Sequence, residues 1–96
     1  MSELKKYKMF IDGEWIDSES KKTFETLNPE NNKPWAVVPE ASAKDIDKAV
    51  KAAQKAFEGE WPKLLPRDRA KYLRAIGEQL RHNAEILGGI ETIDTG

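Results

Sequence analysis

The first third of the chain carries short apolar runs separated by turn residues, a pattern typical of β-strands. Met9–Ile11 and Glu14–Ile16 flank Asp12-Gly13. This dipeptide tolerates the positive φ angles that a two-residue type I′ turn requires. The sequence therefore predicts a β-hairpin over residues 9–16.

Two further strands are predicted before residue 40. Thr23–Leu27 is rich in β-forming residues and ends just before Pro29, whose missing amide stops ladder pairing. Trp35–Val38 is short, continuously apolar and flanked by prolines. Its periodicity does not separate a buried strand from a buried helical turn, but the flanking prolines favour a strand.

From Ser42 onward the apolar period becomes helical. Ser42 and Asp45 have nearly the spacing and chemistry of a capping box, with Asp in place of the usual Glu. Gly59 is the predicted end of this helix. The apolar stripe that follows the cap consists of Ile46, Ala49, Val50, Ala53 and Phe57.

A second helix is predicted to begin at Pro66, after a connector that contains Trp61. His82-Asn83 is interpreted as a break, with Asn83 as the cap of a third helix that Gly88-Gly89 weakens. We expect the stripes of the first two helices to pack together across the connector. The second stripe continues into the third helix and consists of Leu73, Ile76, Gly77, Leu80, Ala84 and Leu87.

Composition is compatible with one folded domain at most. The 96 residues are 39% apolar and 34% charged, with 16 basic and 17 acidic side chains and a formal net charge of −1. This balance favours neither nucleic acid nor a membrane surface as a partner. The polar amino terminus and the lack of an apolar run of 18 residues predict no secretory signal or membrane span, and therefore a cytoplasmic protein.

Candidate chemistry within the chain is sparse. There is no cysteine, which excludes disulfides and a thiolate nucleophile, and the single histidine, His82, is interpreted as a surface residue. Neither a Gly-x-Gly-x-x-Gly motif nor a Gly-Lys-Ser/Thr motif is present. Three tryptophans, Trp15, Trp35 and Trp61, are expected to pack against helices. A basic run is interpreted as a solvated helix face and consists of Arg67, Arg69, Lys71 and Arg74.

Five motifs in order resemble the amino-terminal segment of the NAD(P)-dependent aldehyde dehydrogenase superfamily, with betaine-aldehyde-dehydrogenase-like members among the closest in pattern. The resemblance covers residues 7–96. The motifs are Phe10-Ile11-Asp12-Gly13-Glu14-Trp15, then Thr23-Phe24-Glu25-Thr26-Leu27-Asn28-Pro29, then Asp45-x-Asp47-x-Ala49-Val50-x-Ala52-Ala53-x-x-Ala56-Phe57, then Trp61 with Arg67-x-Arg69-x-x-x-Leu73, and finally Glu91-Thr92-Ile93-Asp94-Thr95-Gly96.

The resemblance implies an α/β parent with a Rossmann-like fold, of which residues 1–96 would be the amino-terminal part of the coenzyme-binding domain. This segment would be α+β, with a β-hairpin and short strands followed by two to three helices. The implied parent is a homo-oligomer that oxidises an aldehyde to a carboxylic acid with NAD or NADP, using a cysteine thiolate and a glutamate base. None of the catalytic or coenzyme-binding residues would lie within these 96 residues, so the isolated chain is expected to be an inactive scaffold whose partner is the remainder of the dehydrogenase chain.

The resemblance also implies one metal site. In some members a structural monovalent cation lies between the residues after the Phe-Glu pair and the aspartate of the terminal motif, which here are Thr26, Leu27 and Asp94. Carbonyl and carboxylate oxygens suit a hard cation. Because further ligands would come from other segments, we expect at best partial occupancy in this chain.

Two functional classes remain open from the sequence. The first is an aldehyde dehydrogenase fragment, favoured because the chain stops inside a family motif; the second is a stand-alone, non-enzymatic α+β interaction module. For the first class, apolar faces without partners predict self-association or a loosely packed monomer.

Overall fold

The computed structural model describes residues 4–96, so residues 1–3 of the polar amino terminus lie outside it. Five short strands precede three helices, which agrees with the predicted order. The elements are β1 (Lys5–Lys6), β2 (Met9–Ile11), β3 (Glu14–Ile16), β4 (Thr23–Asn28), β5 (Lys33–Pro39), α1 (Ala43–Glu58), a 3₁₀ turn (Trp61–Lys63), α2 (Pro66–His82) and α3 (Ala84–Thr95).

β2 and β3 form the predicted hairpin. Phe10 pairs with Trp15 in antiparallel register, and their rings lie 4.8 Å apart between centroids. Asp12 and Gly13 have φ angles of 52° and 78°, the left-handed values that a type I′ turn requires. The expectation that Trp15 packs against a helix is wrong, because its ring packs on Phe10 across the hairpin and stays 68% exposed.

A three-stranded sheet has the order β1-β5-β4, with β4 antiparallel and β1 parallel to the central strand β5. β5 extends through Pro34 and Pro39, which the sequence placed at its borders. Both prolines are tolerated because β1 pairs only with Ala36 and Val37, so their missing amides remove no bond to β1. The strand β1 was not predicted, since two exposed lysines carry no apolar pattern.

The turn between β4 and β5 relies on an asparagine where a glycine would be usual. Asn32 has a φ of 57°, and its amide donates to the carbonyl of Asn28 at 2.7 Å. Asparagine enters the left-handed region more readily than other residues with a side chain. Asn32 therefore occupies the left-handed position of this tight turn without a glycine.

The helix borders agree closely with the predicted signals. Ser42 caps α1 and Gly59 follows its end, while Pro66 occupies the first position of α2. The break at His82-Asn83 is also present, but Asn83 does not cap α3 with its side chain. Instead its Nδ2 donates to the carbonyl of Gln79 at 2.8 Å, which satisfies the carboxyl end of α2.

The predicted packing of α1 on α2 is wrong. The stripe residues of both helices are each more than half exposed, so they do not bury one another. The helical period identified the apolar faces correctly, but it carries no information about what covers them. The affected residues are Ile46, Val50 and Phe57 on α1, and Leu73, Ile76 and Leu80 on α2.

The buried core is small. Ala36 is the single buried apolar residue in the part of the chain that the structure describes, and the other two buried residues there are polar, Ser18 and Asp45. The molecule is a flat, extended body of 50 × 33 × 18 Å. Most of its apolar side chains therefore lie on surfaces rather than inside the fold.

Candidate functional site: the junction of α3 with the sheet

Two of the three predicted cation ligands, Thr26 and Asp94, meet where the last turn of α3 lies against the three-stranded sheet, and Leu27 is the residue that follows Thr26 in β4. Asp94 Oδ1 accepts a hydrogen bond from Thr26 Oγ1 on β4 at 2.6 Å. The same oxygen accepts from Trp35 Nε1 on β5 at 3.2 Å. Residues that are 68 and 59 positions apart in the sequence therefore meet at one carboxylate.

The register of β4 changes at the two strand residues of this site. The pairing with β5 shifts between Thr26 and Leu27, so that Thr26 faces Ala36 but Leu27 faces Pro34. An irregularity of this kind disrupts the ladder locally and leaves backbone groups without strand partners. The residue skipped between these two pairs is Trp35 of β5, whose side chain reaches Asp94, whereas Thr26 and Leu27 both keep partners.

Asp94 is the one carboxylate among the three predicted ligands, and Glu91 also lines the junction. No group of three or more His, Cys, Asp or Glu side chains that could hold a metal ion occurs within residues 4–96. One carboxylate with neutral hydroxyl and carbonyl oxygens fits a singly charged hard cation better than a transition metal. Asp94 Oδ1 already accepts two hydrogen bonds, so an ion would compete with Thr26 and Trp35 for it.

An apolar groove of about 470 Å³ runs beside the carboxylate, between α3 and the sheet. Phe24 and Val38 of the sheet face Leu87 and Ile90 of α3 across it. Tyr7 also lines the groove, and its hydroxyl is buried without a hydrogen-bond partner among the described residues. Tyr7 packs edge to face on Trp35, with 6.2 Å between ring centroids.

A second polar junction lies at the start of α1, and the sequence predicted only one of its two parts. Asp45 completes the predicted capping box with Ser42, and its carboxylate also accepts the amide of Glu19 at 3.1 and 3.2 Å. This longer-range bond ties the loop after β3 to the helix. Asp45 is 5% exposed, and Ser18 beside it is 2% exposed.

Hydrogen bonding to the carboxylate lowers the pKa of Asp45. The amide of Ser42, at 2.8 Å, is the largest cause; burial opposes it, and the Glu19 amide and the Ser42 hydroxyl lower the pKa further. Donors aimed at a carboxylate favour its charged form. Asp45 is therefore a charged residue with a structural role. The sequence predicted its capping of α1, which involves a neighbour three positions away, but not its bond to Glu19, which is 26 positions away.

The remaining candidates are surface features. His82 is exposed, in agreement with the prediction. In the basic run, Lys71 lies 3.8 Å from Asp68, and Arg69 donates to the carbonyl of Leu64 at 3.1 Å. None of the helices within residues 4–96 is long and apolar enough to cross a membrane.

Comparison with known proteins identifies the relatives of this chain. The aldehyde dehydrogenase family model matches residues 15–96. An aldehyde dehydrogenase of Aspergillus niger is 48% identical over 88 residues, which are 92% of this chain and 18% of that protein. A cytosolic 10-formyltetrahydrofolate dehydrogenase of Xenopus tropicalis is 43% identical over 94% of this chain and 10% of its own length.

Solved structures show the same similarity in three dimensions. The NAD+ complex of an aldehyde dehydrogenase from Bacillus cereus has a TM-score of 0.91 and 41% identity, over 96% of this chain and 19% of that one. Betaine aldehyde dehydrogenase of Staphylococcus aureus, also with NAD+, has a TM-score of 0.88 and 39% identity over 93% of this chain and 18% of its own. The chain thus spans about a fifth or less of the length of its relatives. The predicted α+β segment of a Rossmann-like α/β parent is confirmed, and the chain belongs to the aldehyde dehydrogenase family.

Proposed function

We propose that residues 1–96 form the amino-terminal part of the coenzyme-binding domain of an aldehyde dehydrogenase, which oxidises an aldehyde to a carboxylic acid with NAD(P)+. The observation that carries this proposal is the superposition of 96% of the chain on an NAD+-bound family member. The bound coenzyme supplies the acceptor for the hydride that leaves the aldehyde carbon. The chain has no cysteine, so the nucleophile of such a reaction comes from outside these residues.

Within that enzyme the segment acts as a scaffold. Its apolar helix faces are exposed, and its larger sheet has three strands, of which β1 and β4 are the edges. Apolar faces and strand edges of this kind are stable when another segment covers them. The remainder of a dehydrogenase chain is the partner that fits this requirement, and the full enzyme is proposed to be a homo-oligomer. A cytoplasmic location is proposed because the Xenopus relative is described as cytosolic.

A chimera tests this proposal. Residues 1–96 replace the matching segment of the Bacillus cereus enzyme, and the formation of NADH from NAD+ and a simple aliphatic aldehyde is followed by absorbance. We expect a folded chimera that oxidises the aldehyde, whereas the isolated 96-residue chain does not. A chimera that folds and binds NAD+ but lacks activity would contradict the scaffold role. A cooperatively melting monomer of the isolated chain, with Tm above about 60 °C, would favour the stand-alone module instead.

We further propose a monovalent cation at Thr26, Leu27 and Asp94, with partial occupancy in the isolated chain. The support is the hydrogen bond of 2.6 Å from Thr26 Oγ1 to Asp94 Oδ1, which lies at the register shift between Thr26 and Leu27. The ion would hold the end of α3 on the sheet by binding both elements. Titration with Na+ or K+, followed by the amide resonances of Thr26, Leu27 and Asp94, should show saturable shifts that Asp94→Asn weakens. Shifts that are absent, or unchanged in Asp94→Asn, would contradict the site.

A further inference from the structure

Trp35 lies on the face of β5 that is opposite to the one expected from strand alternation. Successive side chains of a strand point to opposite faces of the sheet. Ala36 and Val38 line the groove between α3 and the sheet, so a regular strand would turn residue 35 away from it. Trp35 nevertheless lines the same groove, and its Nε1 reaches Asp94. The pairing with β4 skips Trp35, and an extra residue of this kind, a β-bulge, re-aims a side chain.

The indole of Trp35 is anchored to the sheet rather than to α3. Tyr7 contacts the Trp35 ring edge to face, with an angle of 76° between the ring planes. The amide of Tyr7 donates to the carbonyl of Val37 at 3.0 Å, which fixes Tyr7 beside β5. Trp35 is half-buried in this arrangement. The strand therefore presents a fixed N–H donor to Asp94, which belongs to α3.

The two oxygens of the Asp94 carboxylate have different partners. Oδ1 accepts from Thr26 Oγ1 at 2.6 Å and from Trp35 Nε1 at 3.2 Å, whereas Oδ2 accepts no hydrogen bond from residues 4–96. A hydrogen bond to a charged oxygen uses part of the negative charge that would attract a cation. The Thr26 bond is the shorter of the two, so it can orient the carboxylate without the indole.

We propose that Trp35 is a positioning residue that lowers the affinity of the proposed cation site. The indole N–H and a monovalent cation compete for the negative charge of the Asp94 carboxylate, and the bulge in β5 places the indole where it can compete. Trp35 is outside the predicted ligand set of Thr26, Leu27 and Asp94. The inference rests on the proposed cation site and adds the residue that regulates it.

A titration of the isotope-labelled 96-residue chain with KCl or NaCl, followed by nuclear magnetic resonance, tests this competition. Ionic strength is held constant with tetramethylammonium chloride, so that the screening of exposed charges does not change. We expect the indole N–H resonance of Trp35 and the amide resonance of Asp94 to shift together and to saturate at the same ion concentration. The Trp35 resonance is identified because Trp35→Phe removes it.

Two matched variants measure the size of the effect. Trp35→Phe removes the indole donor and keeps an aromatic ring on the strand. We expect it to lower Kd for the ion at least about threefold, because no indole bond to the charged oxygen opposes binding. The control Trp15→Phe makes the same change on the hairpin, where Trp15 packs on Phe10. It should leave Kd within about 1.5-fold of the wild-type value.

The possible outcomes separate this inference from the cation site on which it rests. Equal or weaker binding in folded Trp35→Phe, or an equal gain in Trp15→Phe, would overturn the role of Trp35 and leave the cation site standing. If Trp35→Phe does not fold, the wild-type titration decides: an indole resonance that stays fixed while the Asp94 amide saturates would also overturn it. Saturable shifts in neither the wild type nor folded Trp35→Phe would contradict both the site and the competition.

Discussion

Single carboxylates hold the elements of this chain together at the residue scale. Asp45 binds the loop after β3 to α1, and Asp94 binds α3 to the sheet. Each acts as an acceptor for donors from distant segments, which replaces the apolar packing that the small core does not provide. A hydrogen bond to a charged group contributes more to stability than one between neutral groups. We therefore expect loss of either carboxylate to affect the stability of the chain.

Asp45 should make the stability of the chain depend on pH in the acidic range. The folded state lowers its pKa, so the carboxylate contributes stability above its unfolded pKa of about 3.9, and this contribution is lost as the pH falls through the folded pKa. We expect Asp45→Asn to lower the free energy of unfolding at pH 7. The further decrease of this free energy at and below about pH 4 should be smaller in the variant than in the wild type. Urea midpoints between pH 2 and pH 7 measure both effects.

Asp47→Asn is the matched control for this prediction. Asp47 lies on the same helix but is exposed, with Lys51 at 3.0 Å. Exposed pairs of this kind contribute little to stability. The acid dependence of Asp47→Asn should therefore follow the wild type, and equal curves for all three proteins would contradict the role of Asp45.

Removal of Asp94 should loosen α3. Asp94→Ala leaves Thr26 Oγ1 and Trp35 Nε1 without their acceptor, at a cost of about 1–2 kcal/mol. Hydrogen exchange of the α3 amides should then accelerate roughly five- to thirtyfold. Glu91→Ala is the control, because Glu91 lines the same groove without a hydrogen bond to the sheet among the described residues. Equal exchange in the two variants would show that Asp94 does not hold the helix.

At the scale of single elements, turn and cap residues set where the strands and helices begin and end. The hairpin turn, the capping box of α1 and the proline start of α2 each follow from residues within four positions of each other. Such signals are local, which explains why the sequence predicted them. β1 and the extension of β5 through its prolines escaped prediction, because they depend on which strands pair.

Two alanine substitutions of glycine should have opposite effects on stability. Gly13 has a φ of 78°, so Gly13→Ala should lower the free energy of unfolding by about 1–2 kcal/mol. Gly88 lies within α3 and an added methyl group would contact nothing, so Gly88→Ala should raise it by up to about 1 kcal/mol. Urea unfolding of both variants at one chain concentration measures the difference. A neutral Gly13→Ala would show that the turn is not left-handed in solution.

At the scale of the whole molecule, the main property of the described residues is exposed apolar surface. Apolar faces of α1 and α2 are exposed on an extended body, and under the proposed function the remainder of a longer dehydrogenase chain covers them. The cysteine nucleophile that the family resemblance implies is not among these 96 residues, because the sequence contains no cysteine.

The isolated chain should not bind the coenzyme. It has neither of the glycine-rich phosphate-binding motifs, and Gly88-Gly89 lie inside a helix rather than at a strand-to-helix turn. Calorimetric titration with NAD+ should show only heats of dilution, while the chimera with the Bacillus cereus enzyme, as the positive control, should bind. A saturable isotherm for the 96-residue chain would contradict this expectation.

By itself the sequence determined the local elements, the family and the apolar faces. The meeting of Asp94 with Thr26 was expected only through the family resemblance, since no spacing rule relates positions 68 residues apart. Tertiary structure alone decided that α1 and α2 remain unpaired, that Trp35 donates to Asp94, and that Asp45 binds Glu19. The physical reason is range: caps and turns arise from neighbouring atoms, whereas the covering of a face depends on how distant elements are placed.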